Sequence, residues 1–367
     1  MSSRCYLGTR KGLMSLTPAA TGWELGPVSF LGEPITMLLP DRRDGSLYAV
    51  LTLGHFGTKL QRSTDGGATW TELTAPVYPE GARLPPGHVQ TTERPASLME
   101  IWSLEAGGPD QPGRLWAGTI PGGLFRSDDG GQSWTFMRSL WDRAERQKWM
   151  GGGKDEPGIH SITVDPRDSR RVTIGISCGG VWQTQDDGET WENVGYGLRA
   201  EYLPPELAND LIAQDPHRLV ACPAAPDRMW IQHHNGIFRS DNAGRDWVEI
   251  ENVLPSPFGF AVAVHPQRPD TAWFVPASDD SCRVPTDGRF VVTKTTDGKT
   301  FAALDGGLPA SQCYDIVYRH ALDVDSSGEM LVLGTTTGNV WASRNGGDAW
   351  TEVSHRLPPV YCVRFGT

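Results

Sequence analysis

An eight-residue motif recurs six times along this chain of 367 residues and limits what it can fold into. Five copies combine a hydroxyl residue, Asp or Asn, glycine and a closing tryptophan, as in SDDGGQSW at 127–134, and the sixth is one residue shorter and closes on Phe301. The closing aromatic residues lie at positions 70, 134, 191, 247, 301 and 350, so the steps are 64, 57, 56, 54 and 49 residues. Such a period is typical of stacked units that cannot bury a hydrophobic face alone.

The composition of the motif indicates a structural turn rather than a catalytic site. A short carboxylate accepts hydrogen bonds from the backbone of its own turn, glycine supplies a positive φ, and the hydroxyl group two residues earlier closes the loop. The final aromatic ring is large enough to anchor the hairpin against its neighbour. We therefore expect no motif carboxylate to take part in chemistry.

Strand-like segments precede each motif, for example MEIWSLE from Met99 and RLWAGT from Arg114. Counting the strand after the motif gives four antiparallel strands per repeat. The N-terminal segment 5–25 supplies the later strands of a seventh repeat, and VYCVRF at 360–365 is a spare strand that can complete it. The sequence thus predicts an all-β, seven-bladed β-propeller, one domain over residues 1–367, with the ring closed by the C-terminal strand.

Charge and targeting signals exclude several classes of partner. The net charge of −11 argues against nucleic acid and anionic membranes as partners, since both draw on clustered Lys and Arg. Neither a signal peptide nor an apolar membrane-spanning run is recognisable, so we expect a cytoplasmic protein with reduced cysteines. The triple glycine after Met150 lacks the pattern of a phosphate-binding loop, and no nucleotide cofactor is expected.

The motif follows the Asp-box pattern SxDxGxTW, and the chain resembles the seven-bladed Asp-box (BNR-repeat) propellers of the sialidase-like superfamily. It resembles more closely a family of bacterial BNR-repeat glycosyl hydrolases, through segments such as FRSDDGGQSW, HHNGIFRSD and PFGFAVAVHP. The resemblance implies a glycosyl hydrolase-like enzyme. The alternative that it also implies is a non-catalytic scaffold with a protein partner, as in the propellers of the photosystem II assembly factor.

True sialidase activity is not expected. Sialidases carry an Arg-Ile-Pro signature before the first box, whereas the nearest strings here, at Arg83 and Arg356, follow a box. The predicted substrate is therefore only a small anionic or carbohydrate-like ligand. Binding of a carbohydrate without turnover remains a third possibility.

Candidate site residues come from aligning the repeats on their second strands. The count puts His160 and His217 at equivalent positions near the start of their first strands, at the mouth of the channel. A similar count gives Arg319, Phe260 and, across a small insertion, Glu100, each with a possible error of one residue. The turn after the second strand adds His234, with His55 near the same level in an earlier blade. Trp102 is predicted to belong to the core.

These residues suggest two kinds of chemistry. His160, His217, His234 and Glu100 form a candidate set of ligands for one divalent metal ion (Zn, Mn or Fe), because imidazole and carboxylate suit these ions. The alternative is that the histidines are hydrogen-bonded wall residues around a water-filled channel. Arg319 either pairs with Glu100 or holds a substrate anion. The predicted catalytic residues are Glu100, His160 and Arg319.

Overall fold

The computed structural model describes residues 4–86, 92–152 and 154–366, and these form seven four-stranded sheets arranged as a ring. Every strand pair within the seven sheets is antiparallel. The predicted all-β, seven-bladed propeller is therefore confirmed.

Six blades follow one another along the chain, each with its strands in sequence order. Blades 1 to 3 contain β4 (Ile35–Pro40), β5 (Leu47–Thr52), β6 (Thr58–Ser63) and β7 (Thr71–Leu73); β10 (Glu100–Ala106), β11 (Leu115–Ile120), β12 (Leu124–Ser127) and β13 (Thr135–Phe136); and β14 (Ile159–Val164), β15 (Val172–Ile176), β16 (Gly180–Thr184) and β17 (Glu192–Val194). Blades 4 to 6 contain β18 (Pro216–Cys222), β19 (Ala225–His233), β20 (Ile237–Ser240) and β21 (Val248–Ile250); β22 (Gly259–Val264), β23 (Ala272–Pro276), β24 (Val292–Thr295) and β25 (Ala302–Leu304); and β26 (Leu322–Val324), β27 (Leu331–Gly334), β28 (Val340–Ser343) and β29 (Thr351–Ser354).

The seventh, closing blade joins the two ends of the chain. It consists of β1 (Cys5–Thr9), β2 (Gly12–Pro18), β3 (Trp23–Leu25) and β30 (Val360–Phe365). β30 pairs antiparallel with β1, with Cys5 opposite Phe365 and Leu7 opposite Val363. The predicted closure is confirmed, and it removes the free sheet edges that an open array would expose.

Helical structure is confined to short connections. The described elements are α1 (Arg138–Trp141) and three 3₁₀ turns, Gly54–Phe56, Ala144–Lys148 and Thr286–Gly288, beside a small hairpin of β8 (Arg83–Leu84) and β9 (Arg94–Pro95). Within the described ranges, no helix has the length and apolar character needed to cross a membrane. None of the six cysteines, all of which are described, forms a disulfide, and only Cys282 is exposed.

The motif turns make the hydrogen bonds that their sequence predicts. Asp65 accepts bonds from the backbone N–H of Thr69 (2.9 Å) and from its hydroxyl (2.6 Å), and the Ser63 hydroxyl lies 2.7 Å from the Asp65 carboxylate. These contacts lower the pKa of the Asp65 carboxyl. Asp129 and Asp186 make the same set of contacts. The motif carboxylates are thus engaged in holding their own turns.

A β-bulge recurs near the start of the first strand and positions the site. In blades 1 to 4 the pairing register shifts across one residue, and in blade 5 it shifts between Gly259 and Val262. β30 shows the same shift between Val360 and Cys362. A bulge leaves its extra residue out of the ladder and re-aims its side chain. The residues in these gaps that line the channel are Thr36, Trp102, His217, Phe260 and Tyr361, with His160 at the equivalent place in blade 3.

This register corrects two positions of the sequence alignment. Trp102, not Glu100, is the bulge residue of blade 2, because Ile101 pairs with Thr119 and Ser103 with Gly118. Trp102 was predicted to be core, yet it lines the channel. In blade 6 the equivalent residue is His320, one place after Arg319, since the next residue, Ala321, accepts the backbone hydrogen bond of Gly334. Both errors arise because the turn between the first and second strands varies in length. Seven residues separate the paired ends of these strands in blade 3, but eight separate them in blade 2 and six in blade 6.

Candidate functional site

A cavity of about 670 Å³ opens at the channel mouth, on the face where the first strands begin. Its wall combines the bulge residues with side chains from the loops above them. Among the described residues, five cationic side chains and one carboxylate line it: Arg10, Lys11, Lys154, Arg283 and Arg319, with Glu100. The cavity is therefore strongly positive within a protein of net charge −11.

Arg319 is the most buried of these cations. Its side chain is 9% exposed, and its guanidinium carbon lies 4.8 Å from the Trp102 ring centroid and 5.5 Å from that of Phe260. Its Nε atom has no hydrogen-bond partner, and the described part of the chain gives Arg319 no ion pair with a carboxylate. A buried guanidinium is costly unless an anion compensates it. Burial lowers the pKa of the Arg319 guanidinium, and the charge of Asp215 offsets this only in part. The aromatic rings hold Arg319 in a position that suits an external anion.

Glu100 does not pair with Arg319. Its Oε2 atom lies 3.1 Å from Nζ of Lys154, which extends from the loop before β14. The sequence allowed Arg319 either to pair with Glu100 or to hold a substrate anion. Because Glu100 pairs with Lys154 instead, the Arg319 guanidinium is available for a ligand. Glu100 remains at the cavity wall, where its carboxylate can reach a bound molecule.

Beside the cavity, Asp215, His217 and His234 bring their side chains together. Asp215 Oδ2 lies 3.5 Å from His217 Nε2 and 3.4 Å from His234 Nδ1. The other carboxylate oxygen, Oδ1, accepts hydrogen bonds from the backbone N–H of Cys178 (3.2 Å) and from the Ser177 hydroxyl (3.3 Å). One turn of blade 3 therefore fixes the carboxylate, and Oδ2 faces both imidazoles.

The far nitrogen of each imidazole also has a partner. His217 Nδ1 lies 2.6 Å from the carbonyl oxygen of Gly259, and His234 Nε2 lies 3.4 Å from a carboxylate oxygen of Asp280. The His217 ring stacks on Phe260, with 4.6 Å between centroids and 17° between planes. Both imidazole orientations are thereby fixed by the surrounding chain.

The surroundings shift the pKa values of Asp215, His217 and His234 in different directions. Burial alone raises the pKa of the Asp215 carboxyl, but the interactions with His217 and His234 outweigh it and hold that pKa well below its usual range. Burial lowers the pKa of His217 in spite of the neighbouring carboxylate. Burial also lowers that of His234, yet Asp215 and Asp280 together raise its pKa above the usual value. At neutral pH the group thus contains an ionised Asp215 and a neutral His217.

Two of the four predicted metal ligands, His217 and His234, belong to this group, whereas Glu100 and His160 lie outside it. His160 is fully buried and its Nδ1 lies 2.9 Å from the Ser161 hydroxyl, while its Nε2 has no hydrogen-bond partner among the described residues. Its ring forms a T-shaped pair with that of Trp102, with 5.4 Å between centroids. His55 is exposed on the 3₁₀ turn Gly54–Phe56, outside the group.

Asp215 was missed by the sequence reasoning. It precedes β18 by one residue, where the segment reads QDPH, and an aspartate before proline looks like an ordinary turn residue. The Asp-x-His spacing could have indicated that Asp215 and His217 lie together, because residues two apart in an extended chain point to the same side.

No protein family model matches the sequence. A curated relative, an oligoxyloglucan-reducing end-specific xyloglucanase of Emericella nidulans, is 26% identical over 169 residues, which cover 41% of this chain and 20% of the relative. A probable enzyme of the same name from Neosartorya fischeri is 29% identical over 133 residues, or 36% of this chain and 14% of that protein. The match thus spans a fifth or less of either relative.

Solved structures support the fold. The GH74 xyloglucanase of Xanthomonas campestris superposes with a TM-score of 0.65 at 17% identity, covering 96% of this chain and 53% of that one. YCF48 bound to a D1 peptide superposes with a TM-score of 0.53 at 15% identity, covering 93% and 86%. At these identities the likeness establishes a shared propeller architecture.

Proposed function

We propose that this protein is an enzyme that acts on a small anionic substrate, of the class of sugar acids, bound in the cavity at the channel mouth. The observation that carries the proposal is Arg319, a buried guanidinium with an unpartnered Nε beside a cavity that holds four further cations. A guanidinium matches a carboxylate in two parallel hydrogen bonds, and a low-dielectric wall strengthens them.

Aromatic side chains favour a sugar ring as the body of the substrate. Trp102, Phe260, Tyr318 and Tyr361 line the same cavity, and such rings supply flat apolar surfaces for stacking. The similarity to xyloglucanases supports the carbohydrate part of the proposal. Xyloglucan itself is uncharged, whereas this cavity is positive, so we expect an acidic sugar instead.

The roles of the predicted catalytic residues follow from their positions. Arg319 anchors the anion, and Glu100, at the wall beside Lys154, is the acid–base candidate. His160 lies behind Trp102 and contributes by positioning that ring. Glycoside hydrolysis by two carboxylates needs a second acid, and among the described residues the cavity wall offers only Glu100. The chemistry is therefore of a different kind from a paired-carboxylate glycosidase.

Matched sugars test the proposal directly. Glucuronate and galacturonate should stabilise the protein against heat and bind in calorimetry, whereas glucose and galactose should not, and added salt should weaken the binding. Arg319→Gln should lower the affinity at least about tenfold, a loss of about 1.4 kcal/mol. Arg170→Gln, which removes a cation that is 66% exposed and absent from the cavity wall, is the control.

Two results would overturn this function. The first is binding of neutral xyloglucan oligosaccharides with no response to sugar acids. The second is an Arg319→Gln variant that binds sugar acids as well as the wild type. A substrate screen with the best ligand class then tests turnover, with Glu100→Gln expected to bind but not react.

A second candidate function is capture of a peptide by its C-terminal carboxylate. Leu31, 80% exposed, directly precedes Gly32 of the cavity wall, so an apolar side chain stands at the rim of a basic cavity. The likeness to YCF48 bound to a D1 peptide supports this alternative. Peptides that end in a free carboxylate should then bind, their amidated counterparts should not, and Leu31→Asp should weaken only peptide binding.

A further inference from the structure

We propose that Asp215, His217 and His234 bind one divalent transition-metal ion at the edge of the substrate cavity. Asp215 is the carboxylate ligand, and the two imidazole ligands are Nε2 of His217 and Nδ1 of His234. This set replaces the four-residue set expected from sequence. The metal site itself is independent of the proposed function, and only its link to substrate rests on that function.

The proton of His217 gives the first argument. A carbonyl oxygen only accepts hydrogen bonds, so the 2.6 Å contact with Gly259 places a proton on Nδ1 of His217. Nε2, the other ring nitrogen, is then the ligand atom that His217 offers, and it faces Asp215 Oδ2 at 3.5 Å. A cation between these two atoms would be held by both.

Distances give the second argument. A protonated imidazole that donates directly to a carboxylate lies at about 2.7–2.9 Å. The contacts of Asp215 Oδ2 with His217 and His234 are longer, at 3.5 and 3.4 Å. Ligand atoms that share a tetrahedral ion at about 2.1 Å are about 3.4 Å apart. The spacing therefore fits a shared ion better than it fits direct ion pairs.

The surroundings match those of metal-bound histidines. Such residues donate their other ring N–H to a carbonyl or carboxylate, which fixes the tautomer. His217 meets the Gly259 carbonyl in this way, and His234 Nε2 faces the Asp280 carboxylate at 3.4 Å. Asp215 is oriented through its second oxygen by Cys178 and Ser177. All three ligands are thus aligned before any ion binds.

Space for the ion is kept by Gly152. A Cβ atom at that position would lie 3.0 Å from Asp215 Oδ2 and 2.9 Å from Cys178 Sγ. Gly152 and His217 also line the cavity, so the free coordination positions are reached from the substrate side. A bound ion there would polarise an oxygen of the substrate or activate a water molecule.

Elemental analysis of protein purified without a histidine tag tests the site. We expect about one Zn, Mn or Fe per chain, as one three-ligand site requires. After chelation, Zn²⁺, Mn²⁺ or Fe²⁺ should raise the melting temperature, with saturation at about one equivalent. His217→Ala, Asp215→Asn and His234→Gln should lose the bound metal and the thermal shift, whereas His55→Gln, in an exposed turn, should keep both.

His234→Gln guards against a simple folding failure, because His234 lies on a partly exposed turn and its loss leaves the blade core intact. Gly152→Ala should weaken metal binding at least tenfold while all three ligands remain. The inference is overturned if none of the three ions binds the wild type, if His234→Gln retains full metal content, or if His55→Gln loses as much as His234→Gln. Sugar-acid binding measured in a chelator separates this outcome from failure of the anion site.

Discussion

Buried neutral histidines should make this protein acid-sensitive at a pH at which most carboxylates are still ionised. His320 is the best probe, since its Nε2 lies 2.7 Å from the carbonyl oxygen of His160 and its ring is almost fully buried. Burial lowers the pKa of His320 well below its usual range, and the guanidinium groups of Arg218 and Arg364 lower it further, against the raising effect of the His160 carbonyl.

The sign and size of the effect follow from linkage. The folded-state pKa lies below the unfolded value of about 6.5, so the unfolded chain takes up the proton first and stability falls as the pH drops below about 6.5. A histidine that stays neutral when folded costs about 1.4 kcal/mol of unfolding free energy at pH 5.5. His160 and His233 are also buried with lowered pKa values, the latter at about 3, so three such residues cost about 4 kcal/mol.

Urea unfolding between about pH 7.5 and 5.5, in the presence of a chelator, measures this loss. His320→Gln keeps a donor for the His160 carbonyl but cannot titrate, so its stability should fall by about 1.4 kcal/mol less than that of the wild type over this range. Ile162→Val is the control, because it removes a buried methyl group at a cost of about 1 kcal/mol and adds or removes no titrating group. Its stability should fall with pH as much as that of the wild type. Parallel pH profiles for the wild type and His320→Gln would refute the reasoning.

Two further predictions concern the scaffold. Gly118→Ala should cost about 1–3 kcal/mol in urea unfolding, because its Cβ would lie 2.6 Å from the Ile159 carbonyl of the next blade. Gly236→Ala should be nearly neutral, because its Cβ would meet the flexible Glu249 side chain at 3.3 Å and Phe238 at an ordinary 3.8 Å. Asp186→Ala removes the bonds to Thr190 and Thr184 of a motif turn and should lower the melting temperature while leaving sugar-acid and metal binding intact. Loss of either binding at an unchanged melting temperature would show that the motif has a part in the site.

The sequence predicted the ring well because its signals are local and repeated. Each motif turn determines its own hydrogen bonds, the spacing counts the blades, and the spare strand at 360–365 closes the sheet that starts at Cys5. The face of the site was also predictable, since the variable loops and the motif turns must lie at opposite ends of the strands.

The composition of the site was less predictable, since it depends on contacts between blades. Asp215 meets His217 and His234 only because Ser177 and Cys178, in the preceding blade, turn its carboxylate towards them. Trp102 looked like a core residue because a bulge reverses which side of the strand faces the channel. Neither the contacts of Asp215 nor the bulge at Trp102 changes the periodic pattern of apolar residues in the sequence.

The recurrent bulge also explains how one repeated scaffold holds side chains as different as Thr36, Trp102 and His217 around one cavity. A bulge residue makes no regular ladder bonds, so sheet pairing places little demand on its side chain. The strand residue before the bulge still packs between blades, and in blades 2, 3 and 5 it is small or apolar: Ile101, Ile159 and Gly259. Chemistry can therefore vary at the bulge while the fold is maintained by its neighbours. Around this channel the bulge positions are occupied by Thr36, Trp102, His160, His217, Phe260, His320 and Tyr361.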